Sequence, residues 1–248
     1  MLQKIIASHT LPSDALKNYI NKYWVSYNPT DEYLDVPIVP DGCSDIIWKN
    51  GDVFLSGLME STHVISIAPK DRYFGIQFKP FALAMLLDAD MSHYNDKSIP
   101  LVEISHELEQ TIIKCIENDA SYEKLNDYFE FLYKDKKIDM SLLHAVNMIK
   151  QTHGNISVSE LTDRLEIHPK KLERLFVHNI GVSVKKFSKI IRFYNIHLVL
   201  NEEGLENLSD KVLDKGYFDQ AHFNRDFKKL TGVNPSSKLM SILYKTKE

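Results

Sequence analysis

The sequence predicts an α+β protein in which a β-rich part comes first and an all-α part follows. Short runs rich in β-branched and aromatic residues, separated by turn residues, dominate the first third of the chain. The last hundred or so residues instead repeat one pattern of capped amphipathic helices twice. A chain of 248 residues, 44% of them hydrophobic, is long enough for two modest domains with packed cores.

The β-rich part is predicted to be a small antiparallel β-barrel or sandwich. A helix is expected over 14–24, followed by strands over 33–39, 45–49, 53–58, 63–68 and 73–78. Turn residues separate these runs, and Asn50-Gly51 is a strong hairpin signal because both residues tolerate a positive φ. Helices are then expected over 81–87, 103–117 and 121–133.

The last two of these helices carry apolar stripes at helical spacing. One stripe consists of Leu108, Ile112 and Ile116, and the other of Leu125, Tyr128 or Phe129, and Leu132. Such stripes usually pack into the core of their own chain. A second hypothesis is that one of them forms a homodimer contact.

The first copy of the repeated helical pattern begins at Ser157, a helix-capping residue with Glu160 three positions later. A helix to about Leu165 follows, and the next helix starts at Pro169 and ends at Gly181. Its apolar face directs its polar side chains to solvent: Lys170, Lys171, Glu173, Arg174 and His178.

The second copy begins near Ser209 and turns at Gly216, and Asp219 is predicted to cap its second helix. Phe223, Phe227 and Leu230 form the buried face of that helix, which ends at Gly232. The side chains left exposed are Gln220, His222, Asn224, Arg225, Lys228 and Lys229. A helix, a sharp turn and a second helix is the geometry that places the second helix in a DNA major groove about 12 Å wide.

One long helix over 183–201 is predicted to join the two copies, with Phe187, Ile190, Ile191, Tyr194 and Leu198 on its buried side. A rigid helix between two DNA-recognition helices fixes the distance between them. Two recognition helices on one face of B-DNA must lie about 34 Å apart to reach successive major grooves.

The net charge also differs between the β-rich part and the helical part of the chain. Residues 141–248 hold 17 Lys and Arg against 12 Asp and Glu, a net charge of +5, whereas residues 1–140 have a net charge of −9. We therefore expect phosphates to be attracted by the C-terminal part alone. The polar segment 134–139 is the predicted junction, which gives domains over 1–136 and 137–248.

Several classes of protein are disfavoured. No apolar run is long enough for a membrane span and no signal peptide is evident, so the sequence predicts a cytoplasmic protein. Two cysteines cannot form a disulfide scaffold or a four-thiolate zinc site. His63 and His93 lack the neighbours of a cupin metal motif, and no metal or other cofactor is expected.

Residues 216–235 resemble the signature of the AraC/XylS transcription regulators. The matching positions are Gly216, Asp219-Gln220, Phe223, Arg225, Phe227, Gly232 and Pro235. The first copy agrees through Leu172-Glu173-Arg174-Leu175-Phe176, Gly181, Ser183 and Arg192-Phe193, so the resemblance covers about 141–238.

The resemblance implies a sequence-specific DNA-binding regulator whose two recognition helices enter successive major-groove segments. Carried onto this sequence, the base-reading residues are Lys170, Glu173, Arg174, Gln220, Ala221, His222, Asn224 and Arg225. Side chains expected to contact phosphates and set the register are Lys171, Lys185, Lys228 and Lys229. Double-stranded DNA is the expected partner; RNA polymerase, a small-molecule effector and a second copy of the chain are further candidates.

The chain departs from the family pattern in both turns. Glu166 and His168 stand where Gly and Ser are usual, which predicts a less sharply set first turn. Lys211 and Lys215 stand where apolar residues are common, and their long stems are expected to cover apolar surface.

The N-terminal part resembles the β-rich domain attached to a subset of these regulators, through residues 40–45 and 75–80. The resemblance implies a cupin-like effector or dimerisation domain. The alternative is a cupin-like small-molecule-binding enzyme with a vestigial DNA-binding half, because Asp41, Cys43 and Asp45 lie close together. A turn at Asp41, a cysteine packed into a sheet and an Asp45 that faces water explain the same residues without catalysis, so we expect no enzyme.

Overall fold

The computed structural model describes residues 5–117, 122–204, 207–232 and 234. Val233 and Pro235, which end the helix-turn-helix signature, lie outside these residues, as does the first residue of the helix expected over 121–133. Within the described ranges, no helix combines the length and the apolar character that crossing a membrane requires.

Eight strands form two antiparallel sheets rather than a closed barrel within the part of the chain described. The strands are β1 Ile6–Thr10, β2 Ile20–Tyr27, β3 Leu34–Ile38, β4 Ser44–Lys49, β5 Asp52–Ser56, β6 His63–Ile67, β7 Arg72–Phe78 and β8 Ser98–Pro100. Six of them form a sheet in the order β1-β2-β7-β4-β5-β8, and β3 pairs with β6. The five predicted strands are all present, and Asn50-Gly51 makes the hairpin between β4 and β5.

The helix predicted over 14–24 is wrong. Asp14–Leu16 forms only a single 3-10 turn, and the chain then enters β2. Leu16 and Ile20 are buried at the spacing of a helical turn, which imitates an amphipathic helix. Pairing with β7 along the whole of β2 satisfies the backbone of this aromatic-rich segment, and that tertiary pairing overrides the local pattern.

The six-stranded sheet has two different faces. Tyr23, Phe74 and Phe78 lie on the face that packs against the helices, where the Phe78 and Phe129 rings are 5.7 Å apart. Neighbouring residues in each strand point the other way, so Trp24, Gly75 and Ile47 share the opposite face. That second face is turned toward the β3–β6 sheet and encloses a cavity with it.

Nine helices are described. They are α1 Ala82–Leu87, α2 His106–Glu117, α3 Tyr122–Tyr133, α4 Met140–Gln151, α5 Val158–Leu165, α6 Pro169–Ile180, α7 Val184–Glu203, α8 Leu208–Asp214 and α9 Gln220–Thr231. The apolar stripes of α2 and α3 lie in the core of their own chain, where Leu108, Ile112, Leu125 and Phe129 are buried. The stripes therefore pack within their own chain, although Ile116 and Leu132 are only half-buried, and the homodimer contact stays a hypothesis.

Helix α4 begins at Met140, directly after the predicted junction over 134–139. Its cap is Asp139, whose Oδ1 accepts hydrogen bonds from the backbone N–H groups of Ser141 and Leu142.

The long helix α7 is present, but its predicted buried stripe is only partly right. Phe187, Ile190 and Ile191 are buried, whereas Leu198 is 41% exposed. Helix α7 packs against α4 and α6 and also against α8 and α9. Phe187 meets Phe176 of α6, and Phe193, further along the helix, meets Phe227 of α9. The buried side therefore moves round the helix to Phe193, Ile196 and Leu200.

Candidate nucleic-acid interface

The first helix-turn-helix unit, α5 and α6, is more sharply set than its sequence suggested. Glu166 adopts the left-handed conformation, with φ 51° and ψ 40°, which a glycine would take without strain. His168 replaces the usual serine cap, since its Nδ1 accepts a hydrogen bond from the N–H of Lys170 at 3.1 Å. The two unusual residues thus reproduce the backbone of the turn.

The first turn of α6 presents a basic surface. Lys170, Lys171 and Arg174 are exposed, and Leu172 and Phe176 anchor the opposite side of the helix in the core. Glu173 is also exposed, but its Oε2 accepts a hydrogen bond from the N–H of Val184 at 3.3 Å. The glutamate therefore also contributes to the start of α7.

The second unit, α8 and α9, has the predicted cap. Asp219 accepts a hydrogen bond from the N–H of His222 at 2.6 Å, and Phe223 and Phe227 are fully buried beneath α9. The outer side of α9 exposes Gln220, Ala221, Asn224, Arg225, Lys228 and Lys229. Lys185, near the start of α7, is exposed as well.

His222 is only half-exposed because it makes contacts within its own chain. Its Nδ1 accepts a hydrogen bond from the N–H of Phe218, and its Nε2 lies 3.5 Å from a carboxylate oxygen of Asp226. The imidazole ring thus ties the turn before α9 to the helix itself.

Lys211 fastens the first helix of the second unit. Its Nζ donates hydrogen bonds to the backbone oxygens of Glu203 and Gly204, at the carboxyl end of α7, and forms an ion pair with Glu203. A cation at that position satisfies unpaired carbonyl groups and the negative end of the helix dipole. A lysine is therefore useful where an apolar residue is usual.

Arg192 connects the two units. From α7, its Nη2 donates a hydrogen bond of 2.6 Å to the backbone oxygen of Gly154, which precedes α5. The same guanidinium lies over the ring of Tyr217, 5.7 Å from the ring centre, and 4.0 Å from Asp226 in α9. The orientation of α9 is thereby tied to the turn before α5.

Asp226 provides the negative charge of this connection. It is 3% exposed, and Lys189, Arg192 and His222 surround its carboxylate at 3.5 to 4.0 Å. A buried carboxylate is tolerated only when it is paired in this way. Asp226 therefore has a structural role at the back of α9, on the side away from its exposed polar residues.

Four residues of the β-rich part, which we call the clamp, contact the helical part: Glu60, Thr62, Asp90 and Asn95. Three of them contact the carboxyl ends of α6 and α9, and Glu60 contacts the start of α7. The Nδ2 of Asn95 donates to the backbone oxygen of Gly181, which ends α6, at 2.6 Å. The N–H of Thr62 donates to the backbone oxygen of Leu230, in the last turn of α9, at 2.6 Å.

Two charged contacts complete the clamp. A carboxylate oxygen of Glu60 lies 3.2 Å from Nζ of Lys186 at the start of α7. Asp90 lies 3.6 Å from His178 and borders the surface depression that also includes Lys170 and Arg174. The clamp thus holds the carboxyl end of α6 and leaves its basic first turn exposed.

The cluster of Asp41, Cys43 and Asp45 lines the cavity of about 650 Å³ between the two sheets. The expectation that Asp45 faces water is wrong, because Asp45 points into this cavity and accepts a hydrogen bond from Nε1 of Trp24 at 2.8 Å. Burial raises the pKa of the Cys43 thiol far above its ordinary value, and the nearby Asp41 raises it further. A thiol in that state is a poor nucleophile, which removes the main argument for catalysis at this site. The described ranges contain no group of three His, Cys, Asp or Glu side chains placed to hold a metal ion.

Sequence reasoning found the exposed faces of both helices but missed the clamp and the role of Arg192. Arg192 was one of the positions that match the family, yet its partners lie far from it in the sequence, one before α5 and three within 217–226. The clamp residues occur in loops with no motif, so no local pattern distinguishes them.

Two family models match the chain. One, described as a domain of unknown function (DUF6597), covers residues 8–100, and the other, described as a helix-turn-helix domain, covers residues 161–239. No curated protein sequence matches the chain.

The chain is also similar to several solved structures. The C-terminal domain of AraT, a response regulator from Geobacillus stearothermophilus, is 22% identical over 40% of this chain and 84% of that one, with a TM-score of 0.37. Apo ToxT from Vibrio cholerae strain SCE256 is 13% identical over 96% of this chain and 97% of that one, with a TM-score of 0.45. ToxT from strain O395 is 13% identical over 99% and 100%, with a TM-score of 0.43.

Proposed function

We propose that the chain, whose two parts match a DUF6597 domain and a helix-turn-helix domain, is an AraC-type DNA-binding transcription regulator that reads a promoter with both α6 and α9 at once. The observation that carries this proposal is the pairing of two capped helices, each with an exposed polar face, through the contacts of Arg192. Such a connection restricts the separation of the two readers, as binding in adjacent grooves requires.

The exposed side chains have the chemistry to contact both the bases and the phosphates of DNA. Arg174 and Arg225 can each pair with two acceptors of guanine, and Asn224 or Gln220 can pair with adenine. Lys170, Glu173, Ala221 and His222 complete the proposed base-reading set, although His222 must give up part of its internal contacts to reach a base. Lys171, Lys185, Lys228 and Lys229 contact phosphates in this proposal and fix the register.

The β-rich part, residues 1–136, modulates binding by residues 137–248 in this proposal. The clamp contacts the ends of α6 and α9, so a change in the β-rich part can alter the orientation of both readers. Asp90 and Glu60 add negative charge beside the basic helices, which opposes the approach of DNA phosphates. Release of the clamp therefore favours DNA binding, and an effector acts by preferring one of the two arrangements.

Selection of bound sequences from a random DNA pool by the full-length protein tests the proposal. We expect an asymmetric site with two conserved segments whose centres are about 10 base pairs apart, one for each recognition helix. A matched selection with Arg192→Ala should lose one segment or the fixed spacing between them. Recovery of a single short segment by the unmodified protein would contradict simultaneous reading.

A further inference from the structure

The cavity between the two sheets is built mainly from apolar side chains. The second face of the six-stranded sheet forms its floor, and Val36, Ile38, Ile65 and Ile67 of the β3–β6 sheet form its opposite wall. Its volume of about 650 Å³ falls in the range of small-molecule sites in proteins.

The floor carries an exposed aromatic ring. Gly75 lies directly opposite Trp24 in the β2–β7 ladder, and any side chain at that position would overlap the indole. The absence of a side chain lets the indole lie against the strand, so that its other face borders the cavity. Phe54 and Tyr73 add two further rings to the lining.

Two carboxylates interrupt this apolar lining. Asp45 accepts from the indole N–H of Trp24, and Asp41 accepts from Nε2 of Gln77 and from the N–H of Cys43. Burial, followed by the charge of Asp41, raises the pKa of Asp45 to about 7, and burial also raises the pKa of Asp41. Two enclosed carboxylates are costly to ionise together, so the empty site favours a proton on the pair, whereas a bound cation would favour the ionised form of both.

The cations around the pair offset only part of its charge. Lys49 lines the cavity, but its Nζ forms an ion pair with Asp71 at 2.9 Å. Lys22 also lines the cavity and favours the ionised state of both carboxyls. Lys150, from α4, favours the ionised state of Asp41. None of these ammonium groups is close enough to either carboxylate to form a direct ion pair among the contacts of the described residues.

We propose that this cavity binds a small organic cation, an amine with an apolar or aromatic body, whose ammonium group lies between Asp41 and Asp45. The ammonium would offset the repulsion of the two carboxylates, and the indole face of Trp24 would attract the same charge. The apolar walls would hold the body of the ligand. A bare metal ion does not use those walls, and a carboxylate ligand would add a third negative charge.

The turn that carries Asp41 also contacts the DNA-binding part. Gly42, with φ +81°, lies so close to α7 that a Cβ there would be 3.0 Å from side-chain atoms of both Phe187 and Ile191. Asp41 is the sequence neighbour of Gly42, so a cation held by Asp41 would bind next to the contact with α7, the helix that joins the two units. This inference deepens the proposed modulation by the β-rich part and names the class of its effector.

Titration of the full-length protein without DNA tests the inference. The chain has two tryptophans, so Trp48→Phe leaves Trp24 as the only indole reporter. The probes are 2-phenylethylamine, its neutral counterpart 2-phenylethanol and its anionic counterpart 3-phenylpropionate. We expect the amine to change the Trp24 emission at the lowest concentration, with an affinity at least about tenfold above that of either counterpart.

Asp45→Asn keeps the shape of the side chain and its acceptor for the indole N–H. We expect it to weaken binding of the amine by about tenfold or more and to leave binding of the alcohol unchanged. The matched control is Asp52→Asn, which removes one exposed charge in the β4–β5 turn and should change neither affinity.

Equal or tighter binding of the alcohol or the carboxylate by the unmodified protein would overturn the proposal, as would no response to the amine at millimolar concentration. These comparisons need no variant, so a folding defect in Asp45→Asn would not affect them. DNA binding is measured separately. A protein that binds its DNA site but not the amine would contradict this inference alone and leave the proposed reading of DNA intact.

Discussion

At the scale of single residues, Arg225 and Lys228 are both exposed on α9 but are proposed to have different partners. Arg225→Ala is predicted to cost about 1 to 3 kcal/mol at the cognate site and to relax the preference at one base position. Lys228→Ala is predicted to weaken binding to all sequences alike and to lower the slope of log affinity against log salt by about one unit.

The measurement is a salt titration of DNA affinity for both variants on cognate and random duplexes. Each variant is the control for the other, since both remove one positive charge from the same helix. Equal losses for Arg225→Ala on the two duplexes would remove Arg225 from the base-reading set.

The sequence predicted which side chains of the two helices are exposed, but not the contacts that they make within the chain. Exposure of Lys170, Arg174 and Arg225 followed from helical periodicity, because the apolar face fixes the polar face. The internal contacts of His222 did not, because they depend on Asp226, which periodicity alone does not identify as a buried charge. A buried ion pair is specified by packing between helices, and a single helix does not reveal it.

At the scale of elements, the turn between α5 and α6 contains strain that a substitution can relieve. Glu166 has a positive φ at the carboxyl cap of α5, where glycine is the usual residue. Glu166→Gly is predicted to raise the free energy of unfolding by about 0.5 to 1 kcal/mol, because the left-handed penalty exceeds the added entropy of the unfolded chain.

Denaturant unfolding at equilibrium checks this prediction. The control is Asp163→Gly, an exposed position inside α5, where glycine should lower the free energy of unfolding by about 0.5 to 1 kcal/mol. Destabilisation by both substitutions would show that Glu166 makes a favourable contribution that its backbone conformation does not reveal.

The long helix α7 is predicted to make stability depend on pH. Burial lowers the pKa of His197 to about 4, from 6.5 as the ordinary value. The unfolded chain therefore binds the proton more readily, and this contribution to stability is full above about pH 6.5 and is lost as the pH falls toward 4.

His197→Gln removes the titration and keeps a hydrogen-bonding partner for Asn201. The unmodified protein should lose more unfolding free energy than this variant between about pH 7 and about pH 5. Other groups, including Asp45, titrate in both proteins, so the difference between the two isolates His197. Identical pH profiles would mean that the buried, neutral state of His197 does not affect stability.

Elements whose conformation is set by a few adjacent residues were predicted correctly, and an element set by a distant strand was not. The caps at Ser157 and Asp219 and the hairpin at Asn50-Gly51 follow from a few adjacent residues and are present. Strand β2 was mistaken for a helix because its state is decided by β7, some fifty residues away. Long-range pairing is the information that a local pattern lacks.

At the scale of the whole molecule, the clamp connects the β-rich part to both proposed recognition helices. Glu60→Gln combined with Asn95→Ala removes the contact to Lys186 and the hydrogen bond to Gly181. We predict that this protein binds its DNA site about fivefold more tightly or better, since coupling between sites in proteins typically reaches that size.

Electrophoretic mobility shift with the cognate duplex measures the change. Asp52→Asn serves as the control, because it removes the same charge at an exposed position outside the clamp. Weaker binding by the clamp variant would indicate that the clamp holds α6 and α9 in the DNA-binding arrangement instead of restraining them.

The most direct test of simultaneous reading by α6 and α9 is methylation interference at guanine N7 along the selected DNA site. We expect two major-groove segments about 10 base pairs apart on one face of the duplex. Arg174→Ala should abolish interference in one segment only, and Arg225→Ala in the other only. If both variants affected the same segment, or if interference were confined to one groove, reading by two helices at once would be contradicted.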